Sequence, residues 1–139
     1  MSKAAAAADW ELGKLVHDLD MQNNARMRVR VARLDLTVAQ ASALCELAEP
    51  MTIGELAARM SCEPSNATAV IDKLEGLRLI ERRPHPTDRR AKKLHVTADG
   101  ADRRKRLMVL LREELLITGL SDQERDTLKD LLSRALDRA

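Results

Sequence analysis

The stretch Ser61–Thr97, SCEPSNATAVIDKLEGLRLIERRPHPTDRRAKKLHVT, decides the fold. Its first part reads as a helix. Pro64 suits a first helical turn, where its missing N–H costs nothing. Ala67, Val70, Ile71, Leu74 and Leu77 then recur at the spacing of one helical face. The opposite face carries Ser65, Asn66, Thr68, Ala69, Asp72 and Lys73, side chains that are small or able to hydrogen-bond. Such a helix can approach a surface closely and read it. After Leu77 the period changes. Leu79 to Arg83 reads as a short strand, and Pro84, Pro86 and Asp88 force a turn. Ala91 to Val96 reads as the returning strand, with Lys92, Lys93 and His95 interspersed. A helix followed by such a hairpin is a winged helix-turn-helix arrangement, so the fold class expected is mainly α with a small β-hairpin wing.

The flanks are helical. Residues 9–34 carry Trp10, Leu15, Leu19, Met27, Val31 and Leu34 at near-helical spacing, interrupted by Gln22, Asn23 and Asn24. Arg26, Arg28, Arg30 and Arg33 form a strip that reads as a solvated or interfacial face. Thr37-Val38-Ala39-Gln40 is a capping box. Val38, Ala41, Leu44, Cys45 and Ala48 follow as a buried face, closed by Glu49-Pro50. Thr52-Ile53-Gly54-Glu55 is a second box, with Leu56, Ala57 and Met60 as the packed side of a short helix. Ser61-Cys62-Glu63 turns from this support helix into the reading helix. Thr97 opens a long helix with Leu107, Met108, Leu111, Leu115 and Leu116 on one side, expected to run to Thr118-Gly119. Ser121-Asp122-Gln123-Glu124 is a third box, before a last helix striped with Leu128, Leu131, Leu132, Ala135 and Leu136. The terminal helices hold more leucine than one thin subunit can bury, which points to a second copy.

Charge sharpens the reading. The net charge of the 139 residues is only +2. Residues 1–78 hold 9 basic and 11 acidic side chains, a balance of −2, and residues 96–139 hold 9 of each. Residues 79–95 hold 6 basic and 2 acidic, so the positive excess sits in the hairpin. Alone, a like-charge run reads as a solvated face. Beside a reading helix it reads as phosphate contact.

Other chemistries find no support. Aromatics are nearly absent, with Trp10 and no Phe or Tyr, so the core must be aliphatic. Cys45 falls on an apolar face and reads as a buried structural thiol. Cys62 lies near a helix N-terminus, where a thiolate is favoured. The two cysteines form neither a disulfide framework nor a metal motif. His17, His85 and His95 share no ligand spacing. There is no Gly-rich phosphate loop and no nucleophile–base set. No catalytic residue, metal or cofactor is expected. No secretory leader and no membrane span is read in the chain, and a reducing cytoplasm is the simplest home.

The segment resembles the DNA-binding domain of the MarR (multiple antibiotic resistance regulator) family. The residues carrying the resemblance are Glu55-Leu56-Ala57, Pro64-Ser65-Asn66-Ala67-Thr68 and Asp72-Lys73-Leu74-Glu75. The wing Asp88-Arg89-Arg90-Ala91-Lys92 and the closing Leu94-His95-Val96-Thr97-Ala98-Asp99-Gly100 complete it. Cysteine-based peroxide sensing, known in some members, lacks here a cysteine near the first helix. Arg78 stands where the family usually has Gly, and Gly76, two residues earlier, offers another place for the helix cap.

The resemblance implies one subunit over 1–139. Its DNA-binding lobe would span 36–100, with dimerisation helices over 9–34 and 101–139. It implies a homodimeric transcription regulator, of the family's commoner ligand-relieved repressor kind, on a near-palindromic duplex. Ser65, Asn66, Thr68 and Ala69 are expected to face bases in the major groove, with Lys73 on the backbone. Arg82, Arg83, Asp88, Arg89, Arg90 and Lys92 are the wing set. Arg89 and Arg90 would enter the flanking minor groove, with Asp88 bracing Arg90. A small effector would sit between the dimer helices and the lobe; no membrane partner is implied. The alternatives are a ligand-independent architectural DNA binder and a winged-helix protein scaffold.

Overall fold

The computed structural model describes residues 2–84, 87 and 92–137. It has six helices and one hairpin among them: α1 Lys3–Ala32, α2 Val38–Glu46, α3 Ile53–Arg59, α4 Pro64–Gly76, β1 Ile80–Pro84, β2 Lys92–Val96, α5 Ala98–Glu113 and α6 Asp122–Asp137. The strands pair antiparallel, Ile80 opposite Val96 through Pro84 opposite Lys92. Met51 adds a bridge to Leu94, donating to it at 3.4 Å and accepting from it at 2.7 Å.

The core lies where α2, α4, α5 and the hairpin base converge. Leu44, Leu56, Ile71, Leu74, Leu94 and Leu107 are fully buried there. Fully burying one such side chain contributes about 1.5–3 kcal/mol. The caps behave as their sequences require. Thr37 and Gln40 form a reciprocal box, as do Ser121 and Glu124. Thr52 accepts from the Glu55 amide at 3.2 Å. Beside Ser121, whose amide and hydroxyl hydrogen-bond its carboxylate, the Glu124 carboxyl sits below its ordinary range.

Several expectations are corrected. The first helix starts at Lys3, because Ala4–Ala8 are strong helix formers and Ser2 caps them through the Ala5 amide. In α2 the buried side is Ala41, Ala43 and Leu44, continued by Leu47, whereas Ala48 is exposed. Leu77 is exposed as well, since it lies past the last turn of α4. On α5 Leu110 is buried, and Leu115, past its end, is exposed. That helix stops at Glu113 rather than Thr118. The carbonyls beyond it are taken by arginines of α1: Arg26 donates to Leu116 O at 2.7 Å and Arg30 to Glu114 O at 2.7 Å. Arg30 is buried, so it does not belong to a solvated strip.

The cap of α4 stays where the family has Gly. Arg78 itself adopts the left-handed conformation, φ 61°, and Gly76 remains helical. Arg78 N donates to Glu75 O at 2.9 Å and Leu79 N to Leu74 O at 3.0 Å, the paired bonds of a Schellman motif. Leu74 and Leu79 are both buried, as the motif's apolar contact requires.

Candidate nucleic-acid interface

The site is built on α4. Ala67, Ile71 and Leu74 anchor one face in the core. That leaves Ser65, Asn66, Ala69 and Lys73 exposed together on the other, at positions that a 3.6-residue period brings to one side. Thr68 is half-buried, and its hydroxyl donates to Pro64 O at 2.9 Å, within the helix. Of the polar residues on this face, the Asn66 carboxamide offers both a donor and an acceptor, the pattern that matches an adenine edge.

The wing is fixed to the reading helix at its base. Thr97 is the joint. Its hydroxyl donates to Arg78 O at 2.7 Å and accepts from the Gly100 amide at 3.0 Å, while its own amide donates to Leu79 O at 3.1 Å. Gly100 is required by this packing, because a Cβ there would overlap the Leu79 carbonyl. Thr97-Ala98-Asp99-Gly100 is therefore where the end of α4, the hairpin base and the start of α5 meet.

The wing cations divide. Arg82, on β1, turns back to α4. It pairs with Asp72 and lies with Nε 3.5 Å from Glu75 Oε2. Arg83 pairs with Glu81 on its own strand, Nε to Oε1 at 2.7 Å. Lys92 is exposed on β2. Asp88, Arg89 and Arg90, and with them the Asp88–Arg90 brace, lie outside the described residues. The link of Arg82 to Asp72 and Glu75 has no signal in periodicity. The two acids are three apart on a helix, and only the chain reversal at the end of α4 makes them neighbours of an arginine ten residues after Asp72.

Behind the interface, α1, α2, α3 and α5 enclose a cavity of about 290 Å³, lined by Met27, Val38, Cys45, Arg59, Met60 and Leu111 among others. Burial pushes the Cys45 thiol above its ordinary range, with the Arg104 guanidinium opposing and Glu46 reinforcing. Arg104 also ties α5 to the end of α2, donating to Leu44 O at 2.9 Å and Cys45 O at 3.1 Å. Among the described residues no cluster of three or more His, Cys, Asp or Glu could hold a metal. No helix there is long and apolar enough to cross a membrane.

Comparison with known proteins agrees with this geometry. The MarR family model matches residues 36–92. An uncharacterized HTH-type transcriptional regulator of Mycobacterium bovis is 32% identical over 136 residues, spanning 91% of this chain and 95% of its own. A mutant of MarR from E. coli complexed with operator DNA matches with a TM-score of 0.83 at 29% identity, covering 91% of this chain and 94% of that one. Apo wild-type MarR from E. coli, also 29% identical, covers 90% and 96% with a TM-score of 0.76. By the sequence match, the shared architecture and the fit of its reading helix and wing, the chain belongs to the MarR family of winged helix-turn-helix transcription regulators.

Proposed function

We propose that this chain is an effector-responsive repressor that binds a near-palindromic duplex as a homodimer. The observation that carries the reading is the exposed Ser65–Asn66–Ala69–Lys73 face of α4, joined through Thr97 to a basic hairpin. Two-fold symmetry would place the two reading helices in major grooves with half-sites about 34 Å apart, or a multiple of that. Ser65, Asn66 and Ala69 face base edges, with Thr68 a lesser contributor, and Lys73 lies on a phosphate. Arg83, Lys92, Arg89 and Arg90 supply the wing's positive charge. The closer match to an operator-bound relative than to its apo form supports a lobe already posed for DNA.

The effector site is the pocket between the α1/α5 helices and α2/α3, where Met27, Cys45 and Met60 lie beside Ser42, Glu46 and Arg59. A ligand there acts through different affinities for two spacings of the lobes. Its lining has no aromatic ring for stacking, and Ser42, Glu46 and Arg59 set polar and charged groups beside the apolar ones.

Selection of bound sequences from a random duplex pool tests the DNA reading. A near-palindrome with the stated spacing is expected. Asn66→Ala should then cost about 1–3 kcal/mol on the selected site and clearly less on random DNA. Failure of the wild-type chain to retain random duplex at low salt would point instead to a protein scaffold.

A further inference from the structure

We infer that Arg82 is not a DNA contact but a positioning residue, a strut that sets the wing against the reading helix. This rests on the DNA-binding reading above and assigns one cation of that interface to a different task. Arg82 is 27% exposed, against 56% for its neighbour Arg83. Its guanidinium hydrogen-bonds Asp72, while Nε faces the Glu75 carboxylate at 3.5 Å without a hydrogen bond, the two acids lying one turn apart on α4. The contact crosses between two elements, from the middle of β1 to the last two turns of α4. Arg83, by contrast, pairs within its own strand and fixes nothing relative to the helix.

Two consequences follow from this placement. First, among the described residues the hairpin's other hydrogen bonds to the end of α4 lie at its base, through Thr97, Arg78 and Leu79. The bridge from Met51 to the buried Leu94 holds β2 against the lobe, and Arg82, opposite Leu94, adds an attachment of β1 on the α4 side. The strut therefore decides where the wing tip meets the duplex while leaving the reading face alone. Second, Asp72 and Glu75 sit beside the reading face, with Asp72 61% exposed and next to Lys73. Unpaired, they would repel phosphates; Arg82 offsets one of their two charges. A cation held this way displaces no counterion from DNA, so it contributes nothing to the salt dependence of binding.

The test compares Arg82→Ala, Arg82→Lys and Arg83→Ala in the full chain. Each is measured on the selected operator, on the same operator with its flanking A·T pairs changed to G·C, and across a salt series. Amide exchange of β1 and β2 without DNA is read alongside. For Arg82→Ala the wild-type preference for A·T flanks should shrink by roughly two- to fivefold, the size of an exposed ion pair's coupling. The slope of log affinity against log salt should stay unchanged, and wing amides should exchange faster. Arg82→Lys should restore much of the preference. In Asp72→Ala, the further change Arg82→Ala should have little additional effect. A slope reduced by about 0.9 with flank preference and amide exchange intact would make Arg82 a phosphate ligand and overturn the strut. Unchanged flank preference in Arg82→Ala would overturn it as well. A wild-type chain that binds no duplex would overturn the DNA reading itself, a result visible before any variant is made.

Discussion

Three helices here end on left-handed residues, and none of the three is glycine: Asp35 at φ 55°, Ser61 at 53° and Arg78 at 61°. For Asp and Ser a short polar side chain eases the conformation. For Arg78 nothing does, and left-handed backbone costs an ordinary L-residue about 1–2 kcal/mol. Gly76, meanwhile, sits in helix where a Cβ would meet nothing within 4 Å. The two residues are each placed where the other's type would be better. Arg78→Gly should therefore stabilise the fold by about 0.5–1 kcal/mol, part of the relief being offset by a more flexible unfolded chain. Gly76→Ala should add about 0.5–1 kcal/mol independently. Arg78→Ala keeps the strain and should give no gain, which separates backbone relief from loss of the guanidinium. Urea midpoints at constant m-value decide the matter. A destabilised Arg78→Gly would mean that the Arg78 side chain outweighs its own backbone cost.

At the scale of elements, the winged core was legible because each local signal agreed with the others. Pro64 opened α4, Thr37–Gln40 and Ser121–Glu124 closed boxes, and the Ala67–Ile71–Leu74 stripe found the core. The Ser65–Asn66–Ala69–Lys73 face was legible for the same reason, being the complement of that stripe. What could not be read were features made by contacts distant in sequence. The Arg82 link needs the chain to double back where α4 ends. The end of α5 needs α1, since Leu115 and Leu116 continue the apolar pattern that a helix would use, yet their carbonyls go to Arg30 and Arg26. This fixes a prediction. Arg30 reaches Glu114 twice, through the carboxylate at 3.1 Å and the carbonyl at 2.7 Å. The carboxylate belongs to a side chain 71% exposed, so Glu114→Ala should cost less than about 1 kcal/mol. Arg30→Ala strands the carbonyls of Glu114 and Leu115 and should cost about 2–4 kcal/mol. Equal losses in the two variants, measured by denaturant unfolding, would make the ion pair rather than the carbonyl caps the important bond.

For the whole molecule, the unburied apolar surface is the dominant fact. In one protomer α6 buries no residue, and Leu131 and Leu136 are open. At the other terminus Trp10, Leu12 and Leu15 are 76%, 60% and 65% exposed. A lone chain rarely leaves two such stripes in water. Trp10 is the only tryptophan and there is no tyrosine, so its emission reports on one of these stripes without interference. A homodimer that covers both termini should sediment at twice 15.5 kDa at micromolar concentration. Its tryptophan emission should be blue-shifted and move to the red on dilution, along with the mass. Operator binding should weaken over the same concentration range, because a single reading helix holds only one half-site. Deleting residues 121–139 should bring monomer or aggregate, water-like emission at any concentration and loss of tight operator binding. If the intact chain sediments at 15.5 kDa while its emission stays red and it still binds a palindrome tightly, the terminal helices do not form the dimer, and the two half-sites must be joined by contacts between lobes on the DNA.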